Sequence, residues 1–142
     1  MRVKLSGLVP LLQVFDMNES LAFYRNMLDF EIVADSGEIE AAEGRYVHWA
    51  WLRHGDAELM LNTAYDANAR PPARDPVRER GHDDLCLYMG ADPDAAFATL
   101  SARGLELEPP ETAPYGMRQL TFRDPDGYQI CLQCRAEVAV SA

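Results

Sequence analysis

The sequence predicts an α+β fold made of two tandem copies of one small unit, each running strand, helix, then three strands. Three observations predict it. An apolar run from Gly7 to Val14 leads into a helical stripe, and past the midpoint Leu85-Cys86-Leu87-Tyr88-Met89 leads into another. After each helix come short alternating segments and strong turn signals rather than a further helix. The 142 residues suffice for one real core and not for two ordinary ones. Neither unit could bury its sheet alone, so the two are expected to join around a cavity, and function is expected there.

In the first half, Gly7 to Val14 reads as a buried strand broken only by Gln13. Asp16-Met17-Asn18 is a turn that offers helix N-caps. The helix is expected from Glu19 to Leu28, with Leu21, Tyr24, Met27 and Leu28 on one stripe. Asp29 follows it, where a residue tolerant of the left-handed conformation is wanted. Phe30 to Ala34 reads as a strand and the acidic stretch Asp35 to Gly44 as a loop. Tyr46 to Leu52 and Ala57 to Leu61 read as strands joined at Gly55-Asp56. That turn pairs His54 with Ala57, Leu52 with Leu59, and Trp51 with Met60. Ala50, Leu52, Leu59 and Leu61 then share the helix-facing side, and Trp49, Trp51, Arg53, Glu58, Met60 and Asn62 the other. A solvent face rarely carries two tryptophans and a pure core rarely carries Arg and Glu. A ligand cavity tolerates both, while the plain alternative is that the rings only fill space between sheets.

Unit one is thus expected at about residues 7–62 and a proline-rich, mixed-charge connector at 63–81. Unit two follows at about 82–134, with a loose tail at 135–142. Within unit two, Asp84 to Met89 reads as a strand. Asp92 and Pro93 open a helix striped with Ala96, Phe97 and Leu100, and Gly104 ends it. Leu105 to Leu107 reads as a short strand and Pro109 to Gly116 as a loop. Met117 to Phe122 and Tyr128 to Leu132 read as strands around the turn Asp124-Pro125-Asp126-Gly127.

Composition excludes several classes of function. There are 13 basic and 23 acidic residues, a net charge of −10, which argues against nucleic acid as a partner. No apolar run approaches membrane-spanning length, and the N-terminus lacks the apolar segment of a signal peptide. Cys86, Cys131 and Cys134 make an odd count, read as reduced thiols in the cytoplasm rather than a disulfide framework.

The pieces Val14-Phe15-Asp16, Ser20-Leu21-Ala22-Phe23-Tyr24-Arg25, Leu28-Asp29-Phe30 and Phe122-Arg123-Asp124-Pro125-Asp126-Gly127-Tyr128 resemble the glyoxalase/bleomycin-resistance/extradiol-dioxygenase superfamily, also called vicinal oxygen chelate. The resemblance runs from about Leu8 to Cys134. It implies a single domain in which the sheets of the two units form an incomplete barrel around a central cleft. Many members pair, so a homodimer is expected. Metal-using members place His, Glu or Gln at four strand positions, which here resemble Val9, Met60, Asp84 and Cys131. Val has no donor atom, Met suits soft ions, and the remaining carboxylate and thiol are too few for a catalytic site. No metal and no cofactor are therefore expected. A shifted set of Glu58, His82, Asp84 and Cys131 is the alternative. Glu58 and His82 lie two residues, roughly 7 Å, along their strands from the expected positions. Each of these also has a plain structural reading: a cross-strand partner of Arg53, a solvated loop residue and a polar strand start.

Nucleophilic catalysis lacks a base near either inward thiol, and no catalytic triad, phosphate loop or dinucleotide motif is present. No catalytic residue is assigned. The resemblance is closest in character to the bleomycin-resistance branch, whose members bind a drug and do no chemistry on it. The expected ligand face is Leu11, Gln13, Trp49, Trp51, Glu58, Met60, Asn62, Asp84, Tyr88, Gln129 and Cys131. Its rings would stack a planar compound, its amides orient it, and Glu58 and Asp84 meet a cation. The expectation is a cytoplasmic sequestering protein for an aromatic, cationic small molecule of the antibiotic-resistance type. The rival is a lyase- or dioxygenase-type enzyme of the same superfamily, using the shifted metal site or a metal-free Asp84 or Cys131 site.

Overall fold

A computed structural model describes residues 1–136, and the chain divides between Arg74 and Asp75 into two compact units. The first contains β1 (Leu11–Val14), α1 (Met17–Ala22), a π-helical turn (Phe23–Met27), β2 (Glu31–Asp35), β3 (Glu38–Ala41), β4 (Gly44–Val47), β5 (Trp49–His54) and β6 (Ala57–Thr63). Its main sheet has the order β1-β6-β5-β2, with β1 parallel to β6 and the other pairs antiparallel. The second contains β7 (Cys86–Gly90), α2 (Pro93–Ala102), β8 (Glu111–Thr112), β9 (Met117–Arg123) and β10 (Gln129–Arg135), in the order β7-β10-β9-β8. Both sheets set the first strand of the unit beside its last and the strand after the helix at the outer edge. The expected strand-helix-three-strand repeat is therefore present in each unit.

The local chemistry explains where expectation and structure part. The first helix starts at Met17, two residues before the expected Glu19, because the Asp16 carboxylate caps it by accepting the Glu19 amide at 3.2 Å. It ends in a π-helical turn around Tyr24, which is fully buried and edge-on to Phe23 and Phe30 at 5.2 and 5.8 Å. Asp29 is left-handed at φ 61, as its place after the helix predicts. The first strand begins at Leu11 rather than Gly7, after Pro10, which has no amide donor.

The expected loop from Asp35 to Gly44 is instead largely a hairpin, β3 with β4. Its acidic residues have partners. Arg45 reaches Glu38 and Glu40 at 3.2 and 3.6 Å, and Ile39 stands opposite the buried Tyr46. The expected strand Tyr46 to Leu52 breaks at His48, because the amides of His48 and Trp49 both donate to the Ser36 hydroxyl, at 3.0 and 3.2 Å. A backbone turned toward a side chain cannot continue the ladder.

The hairpin of β5 and β6 has the predicted register, His54 with Ala57, Leu52 with Leu59 and Trp51 with Met60. Gly55 sits in the two-residue turn at φ 58. One face of the sheet is dry: Leu12, Val14, Ala50, Leu52, Leu59 and Leu61 are each at most 1% exposed, and α1 packs against β6. Burying each leucine contributes about 1.5–3 kcal/mol.

The connector belongs in part to the first unit. The Glu43 carboxylate accepts the amides of Asn68 and Arg70 at 2.9 and 3.2 Å, and Asn68 Oδ1 accepts that of Ala42 at 2.8 Å. The Glu43 carboxyl is held below its usual range, first by its own amide and also by these two and the Arg70 charge. The Arg70 and Arg74 guanidiniums lie 5.2 and 4.9 Å from the centre of the Phe15 ring and pair with Asp16 and Glu19 at 3.7 and 3.6 Å.

In the second unit Asp92 accepts the amides of Asp94 and Ala95, with Pro93 at the first helical position. The helix closes on Gly104 at φ 97, with the amides of Gly104 and Leu105 bonded to Ser101 and Leu100. That closure uses the Leu105 amide and the two prolines Pro109-Pro110 have none. The outer strand is therefore only Glu111–Thr112, not the expected Leu105 to Leu107. The expected strand start at Asp84 is also displaced, since His82–Asp84 forms one 3-10 turn and β7 begins at Cys86. Arg135 ends β10 and Ala136 bonds Gly116. The rest of the expected tail, 137–142, lies outside the described residues.

Candidate functional site

The face of the first sheet opposite the core carries Leu11, Gln13, Trp49, Trp51, Glu58, Met60 and Asn62. The ladder places them in rows: Gln13, Asn62 and Trp49 side by side, then Leu11, Met60 and Trp51. All are partly or largely exposed. The two indoles stand 6.5 Å apart at 67°, so one flat ring can lie on one of them with its edge toward the other. The Trp51 indole N–H donates to Glu58 Oε1 at 3.0 Å. This bond fixes the ring and holds a carboxylate beside it, and the second Glu58 oxygen has no hydrogen-bond partner among the described residues. The Asn62 amide donates to Gln13 Oε1 and to the Thr63 carbonyl, each at 3.3 Å. Two aromatic faces, one thioether and one carboxylate can grip a planar cation.

In the second unit, the corresponding face of the sheet carries Cys86, Tyr88, Gln129, Cys131, Gln119 and Gln133. Tyr88 is 58% exposed. Cys131 is 2% exposed, between Tyr88 and Thr121. Gln129 donates its amide to the Asp83 carbonyl at 2.7 Å, which ties β10 to the 3-10 turn. Asp84 is an exposed residue of that turn. Gln119 links Tyr115 and Gln133 at 2.8 and 3.0 Å, a chain with no signature in the sequence because register alone creates it.

The donors do not suit a metal. Val9 and Met60 offer nothing to a hard divalent ion. Of the shifted set, Glu58 has one oxygen bonded to the Trp51 indole, and Cys131 is 2% exposed. His82 lies flat on Tyr128, ring centres 4.1 Å apart, with Nδ1 2.7 Å from the Asp126 carbonyl and Nε2 3.2 Å from the Tyr128 hydroxyl. Among the described residues of either unit, no three His, Cys, Asp or Glu side chains gather to hold an ion.

Nor is the thiol pair primed for attack. Burial, and then the neighbouring Cys131, push the Cys86 thiol above its ordinary range. Maleimide labelling at neutral pH is expected to mark the exposed Cys134 first and Cys86 slowly. Cys86 should speed up as alkali forms its thiolate, and Cys131 should react only on unfolding. Fast labelling of Cys86 at neutral pH would contradict the assignment.

Sequence reasoning missed one further feature, a recess of about 230 Å³ lined by Phe15, Glu43, Asn68, Arg70, Pro71 and Pro72. The only prior signal was Arg70-Pro71-Pro72, read as plain connector.

The βαβββ repeat coincides with a family match over residues 8–132, which spans both units. The chain belongs to the glyoxalase/bleomycin resistance protein/dioxygenase superfamily. Among solved structures of this superfamily fold, TnmS3, an antibiotic binding protein from Streptomyces sp. CB03234, is 26% identical with a TM-score of 0.64, covering 95% of this chain and 100% of that one. A glyoxalase/bleomycin resistance protein from Streptomyces sp. CB03234 is 27% identical with a TM-score of 0.59, covering 91% and 100%. A bleomycin-binding protein complexed with bleomycin, at 21% identity, a TM-score of 0.63 and coverage of 91% and 98%, shares the fold. No curated protein matches the sequence. Among the described residues no helix is long and apolar enough to cross a membrane.

Proposed function

We propose that this chain binds and sequesters an aromatic, cationic small molecule of the antibiotic type, and does no chemistry on it. The observation that carries the reading is the Trp49–Trp51 pair on the open face, with the Trp51 indole tied to Glu58. Leu11 and Met60 extend the apolar floor, and Gln13 and Asn62 supply hydrogen bonds at its border. In the second unit, taken by itself, Tyr88 is exposed and Cys131 stands beside it, buried. The likeness to TnmS3, an antibiotic binding protein, supports a binding and resistance role. The proposed setting is the cytoplasm, where the three free thiols stay reduced.

Tryptophan emission titrated with planar aromatic cations, such as acridine and phenanthridinium dyes, tests this. Saturable quenching at one dye per chain is expected, with neutral analogues of the same shape binding about tenfold more weakly for want of the Glu58 contact. Unchanged emission up to about 1 mM dye would remove the reading.

A further inference from the structure

The recess beside the connector lies wholly within the first unit, and no residue of the open sheet face lines it. Its volume of about 230 Å³ has room for about eight non-hydrogen atoms, at the roughly 30 Å³ that a water takes in the liquid. Phe15, Pro71 and Pro72 give it apolar walls, and Glu43, Asn68 and Arg70 its polar groups.

The walls are set before anything binds. Asn68 is left-handed at φ 66 and held from both sides: its amide donates to Glu43 Oε1 at 2.9 Å, and its Oδ1 accepts the Ala42 amide at 2.8 Å. The Arg70 amide donates to Glu43 Oε2 at 3.2 Å, and two prolines follow it directly. A backbone fixed in this way loses little freedom when a ligand enters.

The side chains keep their hydrogen-bonding capacity. The Arg70 side chain is only 24% exposed, yet its ion pair with Asp16 Oδ2 is 3.7 Å long, beyond hydrogen-bond reach. Among the described residues no group accepts a hydrogen bond from its guanidinium or from the Asn68 Nδ2 amide. A planar fork of donors beside a side-chain amide suits a carboxylate. Each Glu43 oxygen accepts one backbone amide and so keeps a lone pair for a further donor.

Charge narrows the class of ligand. Glu43 shares the recess with Arg70, and Asp16 pairs with Arg70 from beside it. A ligand with only a carboxylate would meet more negative than positive charge, and one with only an amine would meet the guanidinium. A carboxylate and an ammonium on one carbon answer both. We propose that this recess binds a free α-amino acid with a small apolar side chain. Arg70 and Asn68 take its carboxylate, Glu43 its ammonium, and Phe15, Pro71 and Pro72 its side chain.

Titration of the intact, isotope-labelled protein with L-valine, followed by amide NMR shifts, tests the proposal. Shifts at residues 42–43 and 68–70 are expected to saturate at one valine per chain, with Kd below about 1 mM. Isovalerate, which lacks the amine, and isobutylamine, which lacks the carboxylate, should each bind about tenfold more weakly. Arg70→Gln should weaken L-valine by about tenfold or more. Glu43→Gln removes the opposing charge and should reverse the preference, so that isovalerate binds more tightly than L-valine. Circular dichroism checks that each variant is folded, and the comparison of the three compounds on the intact chain decides the matter even where a variant is not. The proposal is overturned by the absence of saturable shifts up to about 10 mM L-valine. It is equally overturned by shifts that lie elsewhere, by an analogue that matches L-valine on the intact chain, or by a folded variant that binds as the intact chain does. Neither tryptophan nor dye enters this readout, so its outcome is independent of the proposed function.

Discussion

Asp124→Ala is expected to destabilise the second unit by about 2–6 kcal/mol, at about 1–3 kcal/mol for each of the two buried donors left without its acceptor. Asp124 is 5% exposed, and one oxygen, Oδ1, takes the amides of Asp126 and Tyr128 at 2.9 and 3.0 Å. The Asp124 amide returns to the Tyr128 carbonyl at 2.9 Å, and Gly127 completes the turn at φ 87. This turn sets the start of β10, a strand paired on both sides in its sheet, and it presents the Asp126 carbonyl to His82. Urea denaturation would read the loss as a lowered midpoint at unchanged slope. Asp124→Asn keeps an acceptor at the same place and should recover most of the stability. If alanine and asparagine behave alike, the side-chain oxygen acceptor is not what holds the turn.

Trp51→Ala should give the largest effect on binding, a loss of about 2–4 kcal/mol, roughly 30- to 1000-fold in affinity for the dye that wild type binds best. Trp51 stands in the row of Leu11 and Met60, at the centre of the open face, and its ring is pre-set by Glu58. Removing it deletes the stacking surface and frees the carboxylate to be solvated. Trp51→Phe retains a face without the indole N–H and should fall between. Glu58→Gln should weaken cationic dyes and spare neutral ones. Because the dry side of β5 is borne by Ala50 and Leu52, the fold should survive Trp51→Ala, and an unchanged melting curve would confirm that lost binding is not lost structure. Equal affinity in wild type and Trp51→Ala would move the site off this face.

Much of this was legible beforehand, for identifiable reasons. The Gly55-Asp56 turn admits one register, and that register assigned every side chain of β5 and β6 to its face. Asp92 and Pro93 fixed the start of α2, because cap and ring act within one turn of chain. The β3 and β4 hairpin escaped because three glutamates and an aspartate from Asp35 to Glu43 look solvated until Arg45 and the amides of Asn68 and Arg70 are brought to them. Asp84 read as a strand residue because nothing in its neighbourhood announces His82 stacking on Tyr128, a contact 46 residues away. The set of residues on the open face of the first sheet followed from alternation. The Trp51–Glu58 bond and the Gln119 chain did not, since both depend on which rotamers the neighbouring strands leave open.

The strict alternation of the first sheet has an evolutionary corollary. Positions that keep the molecule folded and positions that meet the outside world are interleaved yet chemically independent. Drift can therefore re-equip the open face, one odd-numbered codon of β5 at a time, without renegotiating the interior. Only a change of strand length would be forbidden, because a single inserted residue would trade the two sides.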